Sequence, residues 1–119
     1  ADCEKLILIA TGMYEVKSTF TGFVGLFGLD EEYYADRLFG LAESIHGVNP
    51  GDFGLDRFSK EIETETMIIH CADDREALKE IALALHENMK NSTLHLTAGL
   101  GHRRILRDEE VAERVLNFL

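Results

Sequence analysis

Three short apolar runs constrain this chain more than any other feature. Lys5-Leu-Ile-Leu-Ile-Ala10 stops at Thr11-Gly12, Thr66-Met-Ile-Ile-His-Cys71 stops at Ala72-Asp73-Asp74, and Ser92-Thr-Leu-His-Leu-Thr97 stops at Ala98-Gly99-Leu100-Gly101. The first two runs are continuous rather than alternating and rich in Ile, which is the pattern of strands buried on both faces. Between the second and third, Leu78, Ile81, Ala82, Leu85 and Met89 form a stripe at helical spacing, with Glu76, Lys79, Glu80 and Glu87 on the other side. Asp73 or Asp74 is expected to cap that helix. After the third run a last helix starts at Asp108, carries Glu109 and Glu110 at its positive end, and buries Val111, Val115 and Leu119. Strand, helix, strand, helix in succession predicts an α/β fold with parallel strands and right-handed crossovers.

The stretch between the first two strands is far longer than a plain crossover. From about residue 13 to 65 it reads as an all-helical insertion over the carboxyl ends of the strands, within a single domain spanning 1–119. Tyr34, Leu38, Leu41, Ala42 and Ile45 mark one amphipathic helix opened by Asp30. Gly22-Phe-Val-Gly-Leu-Phe-Gly28 precedes it, Asn49-Pro50-Gly51 breaks the chain after it, and Asp56 to Ile62 reads as a short helix. Phe20, Phe23, Phe27 and Phe39 fit either an acyl pocket or plain core.

Composition narrows the class. At 119 residues and 45% hydrophobic content the chain can build a core, which excludes disorder. The longest apolar run is strand-sized, well short of the roughly 18–20 residues of a membrane span, and no basic segment precedes it as in a signal peptide. Twelve Lys and Arg against 22 Asp and Glu give a net charge of −10, a field that repels nucleic acid and anionic lipid. Cys3 and Cys71 lie far apart and read as reduced thiols, as in a cytoplasmic protein.

In an open parallel sheet, ligands bind at the carboxyl ends of the strands. Two turns there hold groups able to do chemistry: His70-Cys-Ala-Asp-Asp74 after the second strand and Gly99-Leu-Gly-His102 after the third. An acid and a histidine after neighbouring strands can meet, the carboxylate then holding the imidazole in the tautomer that a general base needs. Helix capping and a common loop dipeptide explain the same residues equally simply. His70, Cys71, Asp73, Asp74 and His102 could also be drawn as a metal cluster, but no C-x-x-C or H-E-x-x-H spacing supports one. Asp73 reads as a helix cap or a group supporting the site. His70 reads as structural, His46, His86 and His95 as surface or partly packed, and Arg103, Arg104 and Arg107 as surface paired with Asp108, Glu109 and Glu110.

Thr66 to Asp74, the amphipathic helix after it, and Ser92 to Asp108 together resemble the C-terminal part of an α/β-hydrolase. In that family the penultimate strand ends in a His-Gly-x-x-Asp turn and the last in a Gly-His turn. The resemblance implies Asp74 as the triad acid, with Cys71 where Gly is usual, and His102 as the triad base. It further implies that Lys5 to Ala10 matches the strand after the nucleophile helix, that residues 13–65 match the cap, and that no cofactor is required.

One departure matters. The family's order is Ser, Asp, His, with Ser in a Gly-x-Ser-x-Gly elbow. Ser18, Ser44, Ser59 and Ser92 lack Gly two residues on either side, and so do Cys3 and Cys71. A chain opening at Ala1 just before a strand is therefore expected to be a piece cut or evolved from something longer. The resemblance implies the acid–base half of an ester or acyl hydrolase acting on a small ester-like substrate, inactive alone. The alternative is a non-enzymatic, hydrolase-like interaction module. Without a neighbour on its far side, Leu6 to Ala10 is expected to form an open edge that makes a homodimer.

Overall fold

The computed structural model describes residues 3–12 and 14–119. In chain order the elements are β1 (Lys5–Ile9), α1 (Val16–Gly25), α2 (Glu31–His46), a 3-10 turn (Pro50–Phe53), α3 (Leu55–Phe58), a second 3-10 turn (Ser59–Glu61), β2 (Glu65–Cys71), α4 (Lys79–Asn88), β3 (Ser92–Thr97), α5 (Gly101–Arg104), a third 3-10 turn (Ile105–Arg107) and α6 (Glu109–Phe118). They divide into two compact units, one joining Ala1–Gly12 with Ser59–Leu119 and the other formed by Met13–Phe58. No described helix is long and apolar enough to cross a membrane.

The first unit is a three-stranded parallel sheet in the order β1-β2-β3. Fold class and strand direction therefore follow the apolar runs. The central strand is buried from Thr66 to Cys71, as expected of a strand with neighbours on both sides and cover on both faces. β1 departs from expectation: it is only half-buried, because it is an edge of this sheet, and the other edge, β3, leaves Thr93 and Leu96 exposed.

Alternation along β2 sorts the core into two layers. Met67, Ile69 and Cys71 face one way and pack with Ala10, Ile105 and Val111, joined by Ile7, Ile9, Leu100, Val115 and Phe118. Thr66, Ile68 and His70 face the other way, toward α4, whose Ala82 and Leu85 are fully buried. Full burial of a Leu contributes about 1.5–3 kcal/mol, so this helix is held chiefly by its apolar stripe.

Two helix ends differ from the sequence reading. Neither Asp73 nor Asp74 caps α4: Leu78 occupies the cap position without a side-chain bond and is 59% exposed, so it does not belong to the buried stripe. Both carboxylates are engaged elsewhere. Asp108 does cap α6, accepting from Val111 N–H, and Glu109 and Glu110 fill its first turn. Leu119 is 71% exposed, because it lies just past the last helical residue, and Phe118 packs in its place.

The second unit is helical. Glu15 caps α1 by accepting from Lys17 and Ser18 N–H, and Asp30 caps α2 by accepting from Tyr33 N–H. Lys17 reaches Glu32 and Asp36 of α2 at 3.0 and 2.9 Å, and Phe20 meets Phe39 edge to face. Gly47 ends α2 with φ of 69°, the left-handed turn that only glycine adopts at little cost. The stripe that marks α2 in the sequence is nevertheless open: Tyr34, Leu38, Leu41 and Ile45 are exposed, and the helix buries Ala35, which lies outside that stripe. Phe23 and Phe27 are exposed as well and meet each other edge to face rather than filling a core.

Candidate active site

β2 and β3 are paired in register from Thr66↔Ser92 to Cys71↔Thr97, so the turns that follow them emerge side by side. That adjacency brings Asp74 and His102 together. His102 Nδ1 lies 2.8 Å from Asp74 Oδ2. The Asp74 side chain is fully shielded from solvent, whereas that of His102 is one-third exposed.

Asp74 is held from both sides. Its Oδ1 accepts from the N–H groups of Glu76 at 2.8 Å and Ala77 at 2.9 Å, leaving Oδ2 to the imidazole. Burial by itself pushes this carboxyl up, and it is the largest single influence. The hydrogen bonds from Ala77, His102 and Glu76 and the charge of His102 together outweigh it, so the group is held below the usual aspartate range. An ionised Asp74 only accepts hydrogen bonds, so His102 carries a proton on Nδ1, and in its neutral form the Nε2 lone pair is free. A general base needs that tautomer.

His70, one strand residue before Cys71, is completely buried. Its Nε2 sits 2.8 Å from the carbonyl of Ala77, which can only accept, so Nε2 is the protonated nitrogen. Its Nδ1 has no hydrogen-bond partner among the described residues, and Nε2 lies 3.7 Å from Asp74 Oδ2. The ring thus ties β2 to the turn whose N–H groups hold Asp74.

Asp73, expected to cap a helix or support the site, caps no helix and bonds instead to the end of β2 and the turn after β3. Its Oδ1 accepts from Cys71 S–H at 2.8 Å and from Gly99 N–H at 2.8 Å. Those two bonds, with Arg104 nearby, hold its carboxyl below the usual range. Cys71 Sγ in turn accepts from Gly101 N–H at 3.1 Å. Nothing in the spacing of Cys71 pointed to this contact; the sequence marked it as a reduced thiol and no more. Both cysteines are free, Cys3 exposed and Cys71 buried.

The arginines also differ from expectation. Arg103 pairs with Glu76 at 3.4 Å, and Arg104 donates to the carbonyls of Gly99 and Leu100, so neither serves Asp108, Glu109 or Glu110. The reason is local: Arg103 and Arg104 share a short helix with His102, from which Arg103 reaches the turn after β2 and Arg104 folds back on the turn after β3. His86 bonds Ser92 Oγ and His95 meets Arg114, both away from the Asp74–His102 pair. A surface cavity of about 300 Å³ beside the pair is lined by Asp73, Glu76, Gly101 and His102. Among the described residues no group of three or more His, Cys, Asp or Glu side chains is arranged to hold a metal ion.

No protein-family model matches the chain, and no curated protein matches it. Two solved structures do. Rv0554 from Mycobacterium tuberculosis aligns with a TM-score of 0.61 at 18% identity, over 97% of this chain and 56% of its own. BpoC from Mycobacterium tuberculosis H37Rv, assigned as a non-heme bromoperoxidase, aligns with a TM-score of 0.57 at 12% identity, over the same shares of the two chains. The present chain thus spans little more than half the length of either neighbour. At this identity the likeness concerns the fold, and the fold is a partial α/β-hydrolase-like one.

Proposed function

We propose that the chain carries the acid–base half of an ester or related acyl hydrolase acting on a small molecule. The observation that supports this reading is the 2.8 Å contact of His102 Nδ1 with a shielded Asp74 carboxylate. Two backbone N–H groups fix the other oxygen of that carboxylate. His102 Nε2 takes the proton from a hydroxyl nucleophile, Asp74 stabilises the imidazolium that forms, and His102 then returns the proton to the leaving group. The helical stretch 13–65 acts as a cap that selects the substrate, and no cofactor takes part.

The nucleophile is the part this reading supplies from elsewhere. No serine of the chain has glycine two residues before and after it, so no Gly-x-Ser-x-Gly elbow is present. The donors that stabilise an oxyanion accompany that elbow, and one such donor is worth about 3–4 kcal/mol. The chain alone is therefore expected to leave p-nitrophenyl acetate at the buffer rate.

The test compares three proteins: the chain, its His102→Ala variant, and a fusion to an upstream half bearing the elbow. Turnover by the fusion alone, lost on His102→Ala, supports the reading. Turnover by the chain alone, also lost on His102→Ala, overturns the missing nucleophile. Silence in every protein overturns the enzymatic reading and favours a non-enzymatic interaction module on the same fold.

A further inference from the structure

His102 stands on a turn that has no reason to be rigid by itself. Two of the three residues before it, Gly99 and Gly101, have φ of 77° and 63°, and a Cβ at either would meet open space. Neither glycine has a side chain to hold it, and Leu100 between them supplies the turn's apolar anchor, so the backbone at the two glycines is fixed by hydrogen bonds. Those bonds come from the end of β2. Gly101 N–H donates to Cys71 Sγ at 3.1 Å, Gly99 N–H donates to Asp73 Oδ1 at 2.8 Å, and Cys71 S–H joins the two acceptors by donating to the same Oδ1 at 2.8 Å. Arg104 adds donors to the carbonyls of Gly99 and Leu100.

We propose that Cys71 and Asp73 are positioning residues that brace the Gly99–Gly101 turn and thereby set His102 against Asp74. Cys71 stands three residues before Asp74, so one short segment holds the acid directly and the histidine through this brace. The thiol is used as a hydrogen-bonding hinge pin rather than as a nucleophile: it is wholly buried, with both its donor and its acceptor capacity taken. The inference rests on the acid–base pairing of Asp74 and His102 and names what holds that pairing in register.

Ring-nitrogen NMR on the ¹⁵N-histidine-labelled 119-residue chain tests it without any need for turnover. The readouts are the low-field Nδ1–H resonance of His102, the Nδ1–H tautomer, and amide exchange at Gly99 and Gly101. Cys71→Ser preserves both a donor and an acceptor and should keep the resonance. Cys71→Val fills the volume without either, and should lose it together with protection of Gly101. Asp73→Ala, at an exposed position where no core cavity opens, should also lose it, with protection of Gly99.

A packing role alone reverses the order at Cys71, with Val tolerated and Ser not; that result overturns the proposal, as does an unchanged resonance in Asp73→Ala. Asp74→Asn separates this failure from failure of the pairing. If the resonance survives there, His102 is not held by Asp74, and the acid–base reading falls before the brace is considered.

Discussion

Replacing Asp74 by Asn separates its charge from its shape. The carboxamide oxygen can still accept from Glu76 and Ala77 N–H, the contacts now at 2.8 and 2.9 Å. Its NH2 group, however, faces His102 Nδ1. Donor meets donor, so the ring must move its proton to Nε2 and accept through Nδ1. One charge-assisted bond becomes a neutral one, at a cost of about 1 kcal/mol of stability. Asp74→Ala removes the acceptor for all three donors. Glu76 is exposed and recovers water, but Ala77 is buried, so its N–H stays unsatisfied, and the total should reach about 2–4 kcal/mol.

The pH dependence has a definite sign. Asp74 is held below its ordinary range in the folded chain, so its contribution is fully present above the unfolded value of about 3.9. It is lost as pH falls through the folded value. The gap between wild type and Asp74→Asn should therefore be constant near neutrality and close below about pH 4. Equilibrium urea unfolding, followed by the amide resonances of β2 at pH 7 and in steps downward, measures both effects. In an elbow-bearing fusion the same exchange should cost about 10⁴ in kcat, because an Nε2-protonated ring cannot accept the nucleophile's proton. Equal destabilisation by Asn and Ala, or a gap that persists unchanged at low pH, would refute the assignment of an ionised, shape-locked Asp74.

Other expectations are simpler to check. Gly99→Ala should cost about 1–2 kcal/mol in thermal or urea unfolding, purely from φ of 77°, because the added methyl meets nothing within 4 Å. No loss there means that the turn relaxes without penalty. Among the described residues β1 pairs with β2 alone, leaving a row of backbone donors and acceptors on an apolar edge strand, and we expect that edge to pair two copies of the chain. Sedimentation at high micromolar concentration showing a clean monomer would count against this.

How far the sequence reaches depends on whether a property is local. Strand positions were legible because short apolar stretches bounded by turn residues leave few other conformations, and β3 spans the residues Ser92 to Thr97 marked in the sequence. Caps at Asp30 and Asp108 were legible for the same reason: a short side-chain oxygen satisfies N–H groups within three residues. The approach of Asp74 to His102 was legible one step further, since parallel strands adjacent in sequence and joined by one helix commonly pair, and their turns then share an end of the sheet.

What the sequence could not contain is which neighbour each residue would meet. Burial of β1 and β3 depends on whether another strand lies beyond them, and neither apolar run encodes that. Tyr34, Leu38, Leu41 and Ile45 have the periodicity of a buried face and lie exposed, because periodicity aligns side chains without providing the surface to cover them. Asp73 and Asp74 are adjacent and chemically identical, yet one accepts from Cys71 and Gly99 and the other from Ala77, Glu76 and His102. The bonds of Asp74 to Glu76 and Ala77 are local, but the register of β2 against β3 decides which carboxylate meets Gly99 and which meets His102. It carries Gly99 and Gly101 to the end of β2 and turns a buried thiol and a capping-type aspartate into supports for a histidine about thirty residues away in the chain.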